Sequence, residues 1–251
     1  MRYLIISDIH SNLEALQTAL AAAPEHDYVL NLGDVVGYGA SPNEVVDIVS
    51  NLPGPVVRGN HDKACAGIGE TFGFNAVADK AVSWTAETLT PGNREWVRKL
   101  QPGPVEMPEY PAGQLVHGSP IDEDDYLLSS AAAFEVFRDG TLQLTFYGHT
   151  HVQGGFIFRK GYVESVRPKY KSMTEEETWE LPLLVDARYL INPGSVGQPR
   201  DGDWRAAFAV FDTTAKSVKF YRVPYPVELA QHRILAADLP EYLAVRLRTG
   251  R

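Results

Sequence analysis

Cysteine is almost missing from this 251-residue chain. Cys65 stands alone, so no intrachain disulfide can form and no cysteine-built zinc site is available. It reads as a small buried filler rather than a nucleophile. No apolar run is long enough to span a bilayer. A basic surplus is also lacking: 23 Lys and Arg stand against 32 Asp and Glu, a formal charge of -9. That balance gives no electrostatic reason to bind duplex DNA, RNA or an anionic membrane. Without a basic stripe or an aromatic stacking platform, long nucleic acid is further disfavoured. A small phosphorylated substrate stays open, because bound cations invert a local field. No repeat or low-complexity tract occurs. No basic-then-apolar leader precedes the apolar run Tyr3 to Ile6, and the expected setting is cytoplasmic.

The hydrophobic fraction, 44%, is ordinary for a globular chain, and the length suits one large α/β or sandwich domain over residues 1–251. Tyr3 to Ser7 predicts a buried strand ending in Asp8. Leu13 to Ala23 predicts a helix with Ser11 or Asn12 as N-cap. Tyr28 to Leu32 is a second strand, Pro42 to Ser50 a second helix, and Val56-Val57 a short third strand. This β-α-β-α-β rhythm points to a sheet with crossover helices, where ligands gather beyond the carboxyl ends of the strands. Asn75 to Leu100 is helical, broken at Pro91-Gly92. From Gln114 onward, short strand segments as far as Val223 predict a second, more antiparallel sheet facing the first. The charged stretch Arg167 to Glu180 and the acidic run Asp122 to Asp125 read as solvated loops. The tail from Glu228 predicts helices broken by Pro240. Trp179 and Trp204 read as core or loop anchors, Trp204 also as a cleft wall beside Arg200.

Five of the seven histidines sit in short polar clusters: Asp8-Ile9-His10, Gly33-Asp34, Gly59-Asn60-His61-Asp62, His117-Gly118 and Gly148-His149-Thr150-His151. His26 and His232 lie outside them and read as surface residues. Asp8 and His10, like His149 and His151, alternate, so each pair can face one way. Each cluster alone has an ordinary explanation, as a helix cap or a turn former. Jointly, Asp8, His10, Asp34, Asn60, His117, His149 and His151 are more donors than one four- to six-coordinate ion needs. They divide well between two divalent ions with one carboxylate bridging. Mixed carboxylate and imidazole donors suit transition metals: manganese foremost, with iron, zinc, nickel or cobalt as alternatives.

In kind and order, these clusters match the pattern D-x-H, G-D, G-N-H-[DE], H, G-H-x-H, over residues 8–151. The chain resembles the calcineurin-like metallophosphoesterase superfamily. More narrowly, Gly33 to Gly39 and Asn192 to Arg200 resemble its small bacterial and archaeal phosphodiesterase-like branch. That resemblance implies an α/β (α+β) fold, a two-sheet β-sandwich flanked by helices in four αββα layers. It implies that Asp8, His10 and His151 hold one ion, that Asn60, His117 and His149 hold the other, and that Asp34 and a hydroxide bridge them. His61 would then act on the phosphoryl oxygen or the leaving group, and Asn12 and Arg200 would orient phosphate. The phosphoprotein phosphatase branch continues its G-D motif to a second Asp and an Arg. Here Val35-Val36-Gly37-Tyr38-Gly39 stands instead, which disfavours phosphoprotein substrates and leaves Asp62 as a candidate to orient His61.

The expected activity is therefore binuclear metal-dependent hydrolysis of phosphodiester or nucleotide-type phosphoesters, diesters ahead of monoesters. The alternative is a non-catalytic scaffold of the same fold, which would be expected to have lost a ligand or the histidine; none is lost. A homo-oligomer is admitted by apolar stretches able to lie at a surface, but not demanded.

Overall fold

The computed structural model describes residues 1–68 and 74–251. The first half runs β1 (Arg2–Ile6), α1 (Leu13–Ala22), β2 (Tyr28–Asn31), α2 (Pro42–Val49), α3 (Asn60–Cys65), α4 (Ala76–Thr88) and α5 (Pro91–Arg98). There follow β3 (Val105–Met107), β4 (Tyr110–Leu115), α6 (Ser130–Asp139), β5 (Leu144–Phe146), β6 (Gly154–Arg159) and β7 (Tyr162–Val166). The chain closes with β8 (Glu177–Pro182), β9 (Arg188–Asn192), β10 (Ala206–Asp212), β11 (Ser217–Val223), α7 (Val227–Ala236) and α8 (Glu241–Leu247).

Period-two alternation in β1 separates two cores. Tyr3 and Ile5 point between the sheets, while Leu4 and Ile6 point toward the helices, and all four are buried. A strand covered on both faces is continuously apolar for this reason. The first sheet has the order β2-β1-β10-β11-β8, the second β3-β4-β5-β9-β6-β7. Both are mixed: β1 pairs parallel with β2 and antiparallel with β10, and β5 joins β4 and β9 in parallel. Between them lie Phe146, Ile191, Phe211 and Phe220. Helices α1, α2, α4, α5, α7 and α8 cover the outer face of the first sheet. On the far side α6 covers the second, Phe137 stacking on Phe158 at 5.4 Å. The layers are thus helix, sheet, sheet, helix, as expected. Among the described residues no helix is long and apolar enough to cross a membrane.

Four details depart from expectation. Val56 and Val57 make only isolated bridges, to Asn31 and Gln101, because the chain turns at once into the polar segment before α3. β10 and β11 belong to the first sheet: alternation reveals that a strand has a buried face but not which sheet closes over it. Within the charged stretch Arg167 to Glu180, β8 begins at Glu177 and adds an edge, its Trp179 lying 5.8 Å from Phe220. Finally α6 was not expected; its short apolar stripe of Ala133, Val136 and Phe137 gains meaning only against the second sheet.

Candidate metal centre

Donors reach one end of the sheets from five places. Asp8 and His10 follow β1, Asp34 follows β2, Asn60 opens α3, His117 follows β4, and His149 and His151 follow β5. Ile9, between the first two, is buried in the core. The backbone does unusual work here: Asp8, His10, Asp34, His149 and His151 have φ of 52°, 49°, 52°, 64° and 57°. Left-handed conformations are uncommon for such residues, and their clustering marks a site that the surrounding fold holds in place. Gly59 permits a close approach, since a Cβ there would lie 2.1 Å from Asp34 Oδ1.

Two donor sets result. Asp8, His10, Asp34 and His151 form one; Asp34, His117 and His149 form the other; within each, donor atoms all lie within 4.8 Å of one another. In the first, His151 Nε2 is 3.1 Å from His10 Nε2 and 3.2 Å from Asp8 Oδ1. In the second, His117 Nε2 is 3.1 Å from His149 Nδ1 and 3.3 Å from Asn60 Oδ1. Asp34 Oδ2 belongs to both, 3.5 Å from His10 Nε2 and 3.5 Å from His117 Nε2. Two donors each about 2.1 Å from a shared ion stand about 3.0–3.4 Å apart in octahedral or tetrahedral geometry. The spacings fit that arrangement.

The outer ring nitrogens fix which atoms face inward. His10 Nδ1 meets Val36 O, His117 Nδ1 meets Leu32 O, His151 Nδ1 meets Gln198 O and His149 Nε2 meets Asp124 O, at 3.2, 2.8, 2.6 and 3.1 Å. A carbonyl only accepts, so each of these nitrogens donates and each inner nitrogen can present its lone pair. Lone pairs converging at 3.1 Å repel unless positive charge lies among them. The electrostatics agree: although burial opposes charge on His117, the carboxylates of Asp34 and Asp8 drive it up to about 10. Burial, reinforced by the His117 charge, takes His149 down to about 3. Asp8 Oδ2 is buried without a partner. The residues therefore fit a pair of divalent cations.

His61 lies over the donors. Its backbone N–H donates to Asp34 Oδ1 at 2.8 Å, and its ring packs against Tyr38, Phe74 and His10 with centroids 4.3, 4.7 and 4.8 Å away. Gly37, at φ 92°, makes room, since a Cβ there would sit 2.6 Å from His61 Nδ1. Burial lowers the imidazole to about 4 against the pull of Asp34. Asp62 does not orient this ring: its carboxylate accepts from Val36 N at 3.1 Å and Gly59 N at 3.0 Å, tying two motif segments together.

Asn12 is a correction. Its Oδ1 caps α1 by accepting from Ala15 N, and its amide donates to Gly197 O and the Tyr225 hydroxyl, which leaves no donor for phosphate. Arg200 is half-buried at the rim and near the donors, its backbone N–H donating to His151 O at 3.1 Å. Trp204 packs 5.8 Å from Tyr225. The Asn192–Arg200 segment supports the donors instead: Asn192 Nδ2 donates to Gly148 O and Thr150 Oγ1, and Ser195 Oγ to Asp8 O. Sequence reasoning missed the role of the run Asp122 to Asp125. Glu123 pairs with Arg58 and Lys63, Asp124 pairs with Lys63, and the Asp124 carbonyl holds His149. Basic residues flanking the G-N-H motif at Arg58 and Lys63 were the available signal.

The sequence profile of the calcineurin-like phosphoesterase superfamily domain matches residues 1–216. The chain belongs to this superfamily. It is similar to the uncharacterized protein MJ0912 of Methanocaldococcus jannaschii, 34% identical over 98% of this chain and 97% of that one. Among solved structures it is similar to a metallophosphoesterase from Sphaerobacter thermophilus, with TM-score 0.84 and 38% identity over 100% of this chain and 99% of that chain. Hypothetical protein PH1004 from Pyrococcus horikoshii shares the fold, with TM-score 0.77 at 20% identity over 100% of this chain and 98% of that one. Superfamily membership implies a metal-dependent phosphoester hydrolase, in keeping with the paired donor sets.

Proposed function

We propose that this phosphoesterase hydrolyses phosphodiester or nucleotide-type phosphoester bonds in a small substrate, using two divalent transition-metal ions. The observation that carries the reading is Asp34 Oδ2, equidistant at 3.5 Å from the inner nitrogens of His10 and His117 and so shared by both donor sets. Asp8, His10, Asp34 and His151 would hold one ion; Asp34, Asn60, His117 and His149 the other. Manganese is our first assignment, iron, zinc, nickel and cobalt the alternatives. When bound, such a pair supplies the Lewis acidity that activates water and offsets charge at phosphorus.

The chain's own residues do the rest. Asp62 and the Asn192–Arg200 segment hold the donor loops in register. His61, kept neutral by burial, offers a hydrogen bond to a phosphoryl oxygen or the departing oxygen. A neutral imidazole with no carboxylate behind it is a weak acid, which favours good leaving groups and supports diesters over phosphoproteins. Arg200 would orient the phosphate. A cytoplasmic setting fits a lone, buried, unpaired cysteine.

The test is hydrolysis of paired chromogenic phosphomonoester and phosphodiester substrates by metal-stripped protein titrated with Mn²⁺, Zn²⁺, Ni²⁺ and Mg²⁺. Turnover restored by a transition metal, with the diester preferred, is the expected result. Two ions bound per chain with no turnover of either substrate would overturn it and favour the scaffold.

A further inference from the structure

Two arginines from distant parts of the chain meet at Tyr38. The guanidinium carbons of Arg200 and Arg246 lie 5.9 and 5.7 Å from the centre of its ring. The same ring packs 4.3 Å from His61 and 4.7 Å from His10, so both cations stand beside the donor sets. The fold enforces this placement. Leu243 and Leu247 of α8 line a small, partly open cavity with His10, Tyr38 and Gly39, which seats that helix on the site loop and brings Arg246 to the Tyr38 ring.

Neither guanidinium pairs with an Asp or Glu side chain among the described residues. Arg200 Nη2 donates to the Gln198 side-chain oxygen at 3.3 Å, and its Nε is buried with no partner. Arg246 Nε donates to the Arg251 carbonyl. By contrast Arg58, Arg205 and Arg222 are each matched with an acidic side chain. Burial, and then the charge of Arg200, push the Arg246 guanidinium below its ordinary value, against the pull of Tyr38. The Tyr38 ring lies beside both guanidiniums, which eases the crowding while Arg200 Nε stays without a partner.

We propose that Arg200 and Arg246 form an anion site beside the metal centre, and that the substrate carries a second phosphoryl group next to the scissile one, which this pair grips. The class is a diphosphate- or polyphosphate-bearing nucleotide. A planar guanidinium presents paired N–H groups that match two phosphate oxygens, and two such forks exceed what one singly charged diester requires. The inference rests on the phosphoesterase reading and narrows it. Arg246 lies beyond residues 1–216, over which the family profile matches.

The experiment uses the metal-loaded full chain and two substrates, the p-nitrophenyl esters of thymidine 5′-monophosphate and 5′-diphosphate. They differ by one phosphoryl group; attack at the ester-bearing phosphorus frees p-nitrophenolate from both, and attack at the inner phosphorus of the diphosphate frees p-nitrophenyl phosphate, which added alkaline phosphatase converts to the same chromophore. The quantity read is the ratio of kcat/KM, diphosphate over monophosphate. It is expected to fall about 10- to 100-fold in Arg246→Gln, mostly through KM, and to recover partly in Arg246→Lys. A ratio unchanged within twofold, whether both rates fall together or neither does, would overturn the proposal and leave Arg246 a structural residue of α8. Calorimetric binding of thymidine 5′-diphosphate against 5′-monophosphate, wild type against Arg246→Gln, reads the same selectivity without turnover. If wild type hydrolyses neither ester, the phosphoesterase reading fails. The anion site is then judged by the binding ratio: a fall of tenfold or more upholds it, and no change removes it.

Discussion

Replacing Glu123 with Gln tests whether the acidic loop braces the metal centre or is merely solvated. The carboxylate sits 3.0 Å from both Arg58 Nη2 and Lys63 Nζ, and Lys63 also reaches Asp124 at 2.6 Å. Glu123 is 26% exposed, Arg58 14% and Lys63 19%, so screening by water is partial. Exposed pairs contribute up to about 1 kcal/mol and charge-assisted hydrogen bonds about 1.5–3, so the two contacts together give about 1–2 kcal/mol after screening. In a chain of this size that is a fall in Tm of about 2–8 °C at pH 7, shrinking in 1 M salt. Burial raises the Glu123 carboxyl, but Lys63 and Arg58 outweigh it and hold the group below its ordinary 4.5. A lowered folded pKa means that the stabilisation is complete above pH 4.5 and fades as pH falls through the folded value. The gap between wild type and Glu123→Gln should therefore be full at pH 7 and close as pH falls through the lowered folded value. Because the Asp124 carbonyl holds His149 Nε2, loosening the loop should also weaken one of two metal sites about tenfold by calorimetry. If Tm moves by less than about 1 °C and both affinities stay within twofold, the bracing argument is wrong.

Three further outcomes are expected. His61→Ala should cut turnover of a synthetic phosphodiester by about 10²–10⁴-fold while metal content stays near normal; undiminished turnover would remove His61 from the chemistry. Asp34→Asn should leave the protein unable to hold two ions, measured by elemental analysis, and full occupancy would contradict the shared-ligand assignment. Asp203→Leu should cost about 3 kcal/mol or more in denaturant unfolding, because Arg205 and Arg222, buried beside it, lose a charge partner; a loss under about 1 kcal/mol would show that Asp201 and Glu177 suffice.

The sequence by itself determined the ends of the strands and what they carry. Asp8 with His10, and His149 with His151, are local patterns, and a polar pair closing an apolar run is visible without knowing its neighbours. The helices Leu13–Ala22, Ala76–Thr88 and Pro91–Arg98 were equally legible, because caps and proline act within a turn or two. Tertiary structure alone decided which sheet receives β10 and β11, since alternation specifies a face and not the partner that covers it. It alone tied the Asn12 amide, read in the sequence as a phosphate ligand on a residue that could also cap α1, to Gly197 and Tyr225. The carbonyls of Leu32, Val36, Asp124 and Gln198 that orient the histidines carry no side-chain signature, so nothing in the sequence marks them. Arg246 comes to Tyr38 only because α8 folds back onto the site loop. A contact made by closing a loop of that length depends on the packing of whole layers, which no local pattern encodes.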